Sequence, residues 1–272
     1  MLRTRVITAV VLLAVLLSVL YSKSFLFFAL VTAAFFAAAS WESFRLFHNR
    51  QPVIGAAIWT GVFLYLLYTG NADSARLLFM LSAAIWLVRL IPSLKFGLPP
   101  MEALGNRLLN GIYGITILAS FIAITVLFQQ SPLYLLSVMA LVWIADIGAY
   151  FAGKAFGKRK LAPSISPGKS WEGAIGGWIA VLVIAGASTL HPSLEGTFAA
   201  QILARWGWPG FIVVMTVIVA FSVVGDLFES QLKRRAGMKD SSNLLPGHGG
   251  VLDRIDALIP TLPIAVLFGS WL

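Results

Sequence analysis

Residues 230–256 read SQLKRRAGMKDSSNLLPGHGGVLDRID, the densest run of ionisable groups in a chain that is 59% hydrophobic. Apolar segments long enough to cross a bilayer, which takes roughly 20 residues, lie on either side. Charges in that position are held at a membrane surface, where they are costly and functional by default. The expected fold is therefore an all-α polytopic membrane protein. It would have about nine transmembrane helices and a polar cleft facing the cytoplasm.

Spacing says more than composition. Asp226 ends an apolar helix, and Ser230, Lys233 and Arg234 follow at i+4, i+7 and i+8, on one helical face. Pro246, Gly247, Gly249 and Gly250 then break the chain around His248, baring backbone N–H groups that can approach a phosphate closely. Asp253 and Asp256 share a face at i and i+3, with Arg254 between them. Hard oxygen ligands from Asp226 and Asp253 opposite Lys and Arg suit a divalent cation and the phosphates it bridges. A nucleotide substrate is expected.

Ser230-x-Leu232-Lys233-Arg234, Lys239-Asp240, Pro246-x-His248-Gly249-Gly250 and Asp253-Arg254-Ile255-Asp256 resemble the signature of the phosphatidate cytidylyltransferases, also called CDP-diacylglycerol synthases. The resemblance implies the reaction of CTP with phosphatidate to give CDP-diacylglycerol and pyrophosphate. Asp226 and Asp253 would hold Mg2+, and a second, monovalent cation such as K+ is implied near the same carboxylates. Asp226, Asp253, Lys233, Arg234, His248 and Asp256 are the expected catalytic set. Ser230, Lys239, Asp240, Gly249, Gly250 and Arg254 are expected to contact substrate. Two other classes of reading stand beside this one: a CTP-dependent lipid kinase, which would need a base for the lipid hydroxyl, and a membrane transporter.

A second polar stretch, residues 143–173, WIADIGAYFAGKAFGKRKLAPSISPGKSWEG, extends the resemblance through DIGAYFAGKAFGK and SPGKSWEG. Asp146 sits in an otherwise apolar helix, where a carboxylate must pair, bind an ion or take up a proton. Gly168-Lys169-Ser170 invites a P-loop reading, but Pro163 stands where the first glycine belongs and no strand is expected here. What remains is a basic turn before a helix, where Lys169 and unpaired N–H groups can hold a phosphate. Asp146, Lys154 and Lys169 join the expected substrate contacts. All these motifs lie in the second half of the chain. We read one domain over 1–272, with 1–130 mainly scaffold and 131–272 the catalytic half.

Only 11% of the residues are charged and the mean hydropathy is +0.88, against about 25% charge in soluble domains. There is no cysteine, which excludes disulfides, thiolate nucleophiles and cysteine-based zinc sites. The formal charge of +9 belongs to topogenic loops and anionic lipid rather than nucleic acid. Membrane lipid is thus an expected partner, and a homodimer is left open.

Apolar helices are expected near 6–22, 24–47, 52–70, 74–92, 109–129, 132–153, 173–190, 208–229 and 255–272, with Pro260 and Pro263 bending the last. The first is read as a retained helix rather than a cleaved leader, since no small-x-small site follows it. A short amphipathic piece is expected at 198–206, in an external loop. With these spans, 17 of the 20 Lys and Arg fall on one side, against Lys23, Arg76 and Arg205 on the other. The positive-inside rule then places the N-terminus and the signature in the cytoplasm of the cell (inner) membrane, and the C-terminus outside.

Each group also has a plainer expectation. Asp226 and Asp253 would be structural partners for Arg234 and Arg254. Ser230 would bond back to its own helix. Lys233 and Arg234 would snorkel to the membrane edge. Arg235 and Lys158–Lys160 are read as solvent or headgroup charges.

Overall fold

The computed structural model describes residues 2–22 and 24–269. Met1, residues 270–272 of the last expected span, and Lys23, one of the three cations placed outside, lie beyond the described residues. Helices α1 (Leu2–Tyr21), α2 (Phe25–Leu46), α3 (Pro52–Thr69) and α4 (Ala72–Ile85) open the bundle. A π-helical turn, Trp86–Leu90, joins α4 to α5 (Ile91–Phe96), and α6 (Leu104–Gln130) and α7 (Pro132–Phe156) follow. A hairpin of β1 (Lys160–Ala162) and β2 (Ser166–Ser170) precedes α8 (Trp171–Ser188), α9 (Phe198–Arg235), α10 (Leu252–Ile255) and α11 (Leu258–Gly269). Among the described residues, eight helical segments are long and apolar enough to cross a membrane. The protein is an integral membrane protein.

The ninth expected span is different in kind. Its helix α11 has 12 residues, and Leu258 to Val266 are all buried against α9, α6, α4 and α7. It is a wedge inside the bundle rather than another lipid-facing rod. Pro263 lies within it, and the chain breaks earlier, in the turn at Asp256 and Ala257. Gly225 of α9 makes room for that turn: a Cβ there would collide with the Asp256 carbonyl and the Pro260 ring.

Helix α6 forms the other half of the core. Phe121 meets Phe36 of α2 edge to face at 5.2 Å, and Tyr113 lies 5.1 Å from the ring of Phe228 in α9, geometries that aromatic pairs prefer. The expected amphipathic piece is present at the start of α9, set off from the longer span by Gly207 at φ 62°. The π turn just before Pro92 was not foreseen. Proline has no N–H to donate, so a widened turn ahead of it is a local answer to the missing bond.

The β hairpin corrects the expectation of no strand near Gly168-Lys169-Ser170, since β2 contains all three residues. The P-loop reading still fails. Pro163 replaces its glycine, and β2 is one arm of an antiparallel hairpin rather than a strand in a βαβ unit.

Candidate active site

Six elements bring the polar groups together: α2, α7, β2, α9, the 236–251 loop and α10 with the turn that follows it. They form two zones with different chemistry.

The first zone is sealed. Asp253 at the start of α10 is 3% exposed and spends both carboxylate oxygens inside the protein. Its Oδ1 accepts from Lys233 Nζ at 2.6 Å. Its Oδ2 accepts from Ser241 N and Ser241 Oγ, both at 2.8 Å, and from Gly250 N at 2.7 Å. Burial pushes this carboxyl up, but Lys233 and the Gly250 and Ser241 donors outweigh it and hold Asp253 below the usual aspartate range. Lys233 also forms an ion pair with Glu229 Oε2 at 2.5 Å. It is therefore clasped between two carboxylates.

Glu42 of α2 completes this zone. It is fully buried, and its oxygens accept from Ser242 Oγ at 2.5 Å, Leu252 N at 2.6 Å, Val251 N at 3.0 Å and Ser241 Oγ at 3.2 Å. One carboxylate thus fixes both ends of the signature loop and satisfies orphan N–H groups at the start of α10. Gly250 is glycine for the same reason: a Cβ would fall on Ser241 Oγ and the Glu42 carboxylate.

The second zone is open. Asp226 near the end of α9 lies 2.6 Å from Lys169 of β2, and the two side chains are 32% and 26% exposed. Ser230 donates to Asp226 Oδ1 at 3.2 Å. Asp146 on α7 and Asp256 after α10 both feel the charges of Asp226 and Lys169. Asp256 Oδ1 accepts the Ala257 N–H at 2.7 Å. His248 is held by its backbone N–H to Leu245 O at 2.8 Å, inside a loop closed by a bridge between Leu245 and Gly249. Its Nδ1 is buried with no hydrogen-bond partner among the described residues. A buried polar atom left unpaired calls for an explanation, and a bound ligand supplies one.

Several expectations change here. The aspartates pair with Lys169 and Lys233, not with Arg234 and Arg254, because α9 turns Lys233 inward against Asp253 while Arg234 and Arg254 remain exposed. Ser230 bonds to a side chain one turn back rather than to the helix carbonyl. Arg235 is not a headgroup charge: it donates to Pro99 O at 3.1 Å and stacks on Phe47 at 5.0 Å. Lys158, Arg159 and Lys160 are exposed, as expected of solvent charges, and Arg159 pairs with Glu172 at 3.2 Å while staying 76% exposed. Lys239, Asp240 and Lys154 are exposed, and Gly249 turns the loop at φ 83°.

Sequence reasoning missed Glu42, Glu229, Ser241 and Ser242. Glu42 left a signal, being the lone acid in the apolar helix Phe25–Leu46, where a carboxylate is a site candidate by default.

A profile of the cytidylyltransferase family matches residues 3–272. A phosphatidate cytidylyltransferase of Haemophilus influenzae is 40% identical, over 98% of this chain and 98% of its own length. One from Pseudomonas aeruginosa is 41% identical, over 97% of this chain and 95% of its own length. Another, from Bacillus subtilis, is 40% identical over 53% of this chain and 49% of its own length.

Proposed function

The chain belongs to the cytidylyltransferase family, and on that footing we propose that it joins CTP to phosphatidate in the open zone, giving CDP-diacylglycerol and pyrophosphate, while the sealed zone holds the parts in place. The observation that carries this division is the contrast between two lysines. Lys233 is locked between two carboxylates, whereas Lys169 and Asp226 are both accessible.

No activated serine or cysteine is required. A phosphate monoester has a second pKa of ~6, so at neutral pH the lipid phosphate is already an anionic nucleophile. The obstacle is repulsion between two anions. Lys169 stands ready to exchange Asp226 for a phosphate oxygen, and Arg234, Lys239 and Arg254 spread the remaining charge. His248 Nδ1 would meet a polar atom of the nucleotide, and the bare backbone around Gly247 and Gly249 would let a phosphate come close.

Magnesium fits the open zone in the mode usual for that ion, with one or two carboxylates and the rest of its shell from phosphate and water. No group of three acids or histidines capable of caging a metal occurs among the described residues, and that mode does not need one. Asp226 would hold the ion, with the free oxygen of Asp256 nearby. Asp253 joins only if Lys233 releases Oδ1, so its main task here is to hold the loop. When bound, the ion would neutralise the leaving pyrophosphate. We place the open zone on the cytoplasmic side of the cell membrane, where CTP is available, in line with the side that carries most of the cations.

The test is product analysis. Purified protein given CTP, phosphatidate and magnesium should form CDP-diacylglycerol and pyrophosphate in equal amounts, and a chelator should stop it. Formation of CDP from CTP and diacylglycerol would overturn the reading.

A further inference from the structure

Beside the signature turn lies an apolar cavity of ≈ 360 Å³, walled by α1 and α2 on one side and by α6 and α7 on the other. Leu16, Val31, Phe121, Met139 and Trp143 line it, and its end is formed by Arg254, Ile255 and Leu258. Arg254 is the single charged residue in that lining among the described residues. Residues of one turn therefore serve three sides: Asp253 locks the frame, Arg254 and Ile255 border the cavity, and Asp256 faces the charges of the open zone.

The outer wall is loosely held. Helix α1 is exposed on most of its surface, with Thr8 and Val19 its buried residues among those described. It is tied to the signature by Thr8, which donates to Pro246 O at 2.7 Å, and by Arg5, which packs against Gly247. The cavity so bounded is open on one side and apolar along its length, and its cation, Arg254, sits on the turn that also carries Asp253 and Asp256. A lipid bearing a phosphate has the same polarity. Moving an acyl chain from bilayer to an apolar groove gains little, since lipid tails are as apolar as leucine. The groove can therefore select chains and aim the headgroup, while attraction must come from Arg254.

We propose that this groove seats one acyl chain of phosphatidate, with Arg254 drawing the lipid phosphate toward Asp226 and Lys169. The inference rests on the reaction proposed above and adds where its lipid lies. Two measurements on the full-length protein in mixed micelles test it. Val31→Trp narrows the groove, so the ratio of kcat/KM for dipalmitoyl over dihexanoyl phosphatidate should fall about tenfold, mostly through KM. An unchanged ratio would overturn the groove. Should that variant fail to fold, the wild-type protein can be crosslinked with phosphatidate carrying a diazirine near its chain end. Labelling should concentrate on peptides containing Leu16 or Met139 and be competed by unlabelled phosphatidate. Labelling spread over α3 and α4, or equal capture of a phosphatidylcholine probe, would overturn the groove. Wild-type protein that turns over neither phosphatidate fails the reaction instead, and the crosslinking result still stands apart from it.

Discussion

Two lysines on neighbouring elements meet two aspartates at the same 2.6 Å, yet they do different jobs. Around Lys233, the carboxylates of Glu229 and Asp253 are all but shut off from solvent, the lysine side chain is 12% exposed, and both oxygens of Asp253 are spoken for. Around Lys169, both partners are partly exposed and a phosphate could displace either. An exposed pair is worth about 0–1 kcal/mol, whereas breaking a buried one costs about 3–5 kcal/mol. Identical distances thus mean a fixed frame in one place and a working face in the other. A motif read only as a list of charged residues cannot separate the two.

The comparison can be broken first at Asp253. In Asp253→Asn the remaining oxygen can serve Ser241 and Gly250, but the amide NH2 then faces the Lys233 ammonium, donor against donor. We expect about 3–5 kcal/mol of lost stability, read as a lower Tm in detergent and poor yield, with activity falling in proportion to folded protein. A well-folded, inactive Asp253→Asn would move Asp253 from the frame to the chemistry.

Glu42→Gln sharpens the same contrast with a smaller effect. The substituted amide must present NH2 to one of two backbone N–H donors, Val251 or Leu252, since the serine hydroxyls beside them can turn to accept. Stranding such a donor costs about 1–3 kcal/mol. Tm should fall less than in Asp253→Asn, and faster hydrogen exchange should appear at Val251 and Leu252. Unchanged exchange there would show that Glu42 does not hold the loop.

Much of this was legible in the sequence. The apolar spans, the membrane class and the resemblance carried by 226–256 and 143–173 all rest on local patterns, and local patterns survive folding. Asp226 and Ser230 share a helix face by spacing alone, and the structure joins them. What could not be read were pairings across the chain. Glu42 finds partners some 200 residues away, and Lys169 meets Asp226 from a hairpin that a three-residue strand hardly announces. Lys233 and Arg234 are adjacent and alike in type, so only packing decides which turns inward. The burial of the last helix inside the bundle was not legible either, because a uniformly apolar helix reads the same whether lipid or protein surrounds it.

The most direct test of the two-zone account is Lys169→Gln, measured for thermal stability and for CDP-diacylglycerol formation on one preparation. The account predicts a Tm close to wild type, since the lost pair is partly exposed. It also predicts a kcat lowered about 10²–10³-fold, the usual effect of removing one donor that stabilises developing charge. Turnover within threefold of wild type, or a fall in Tm as large as that of Asp253→Asn, would contradict it.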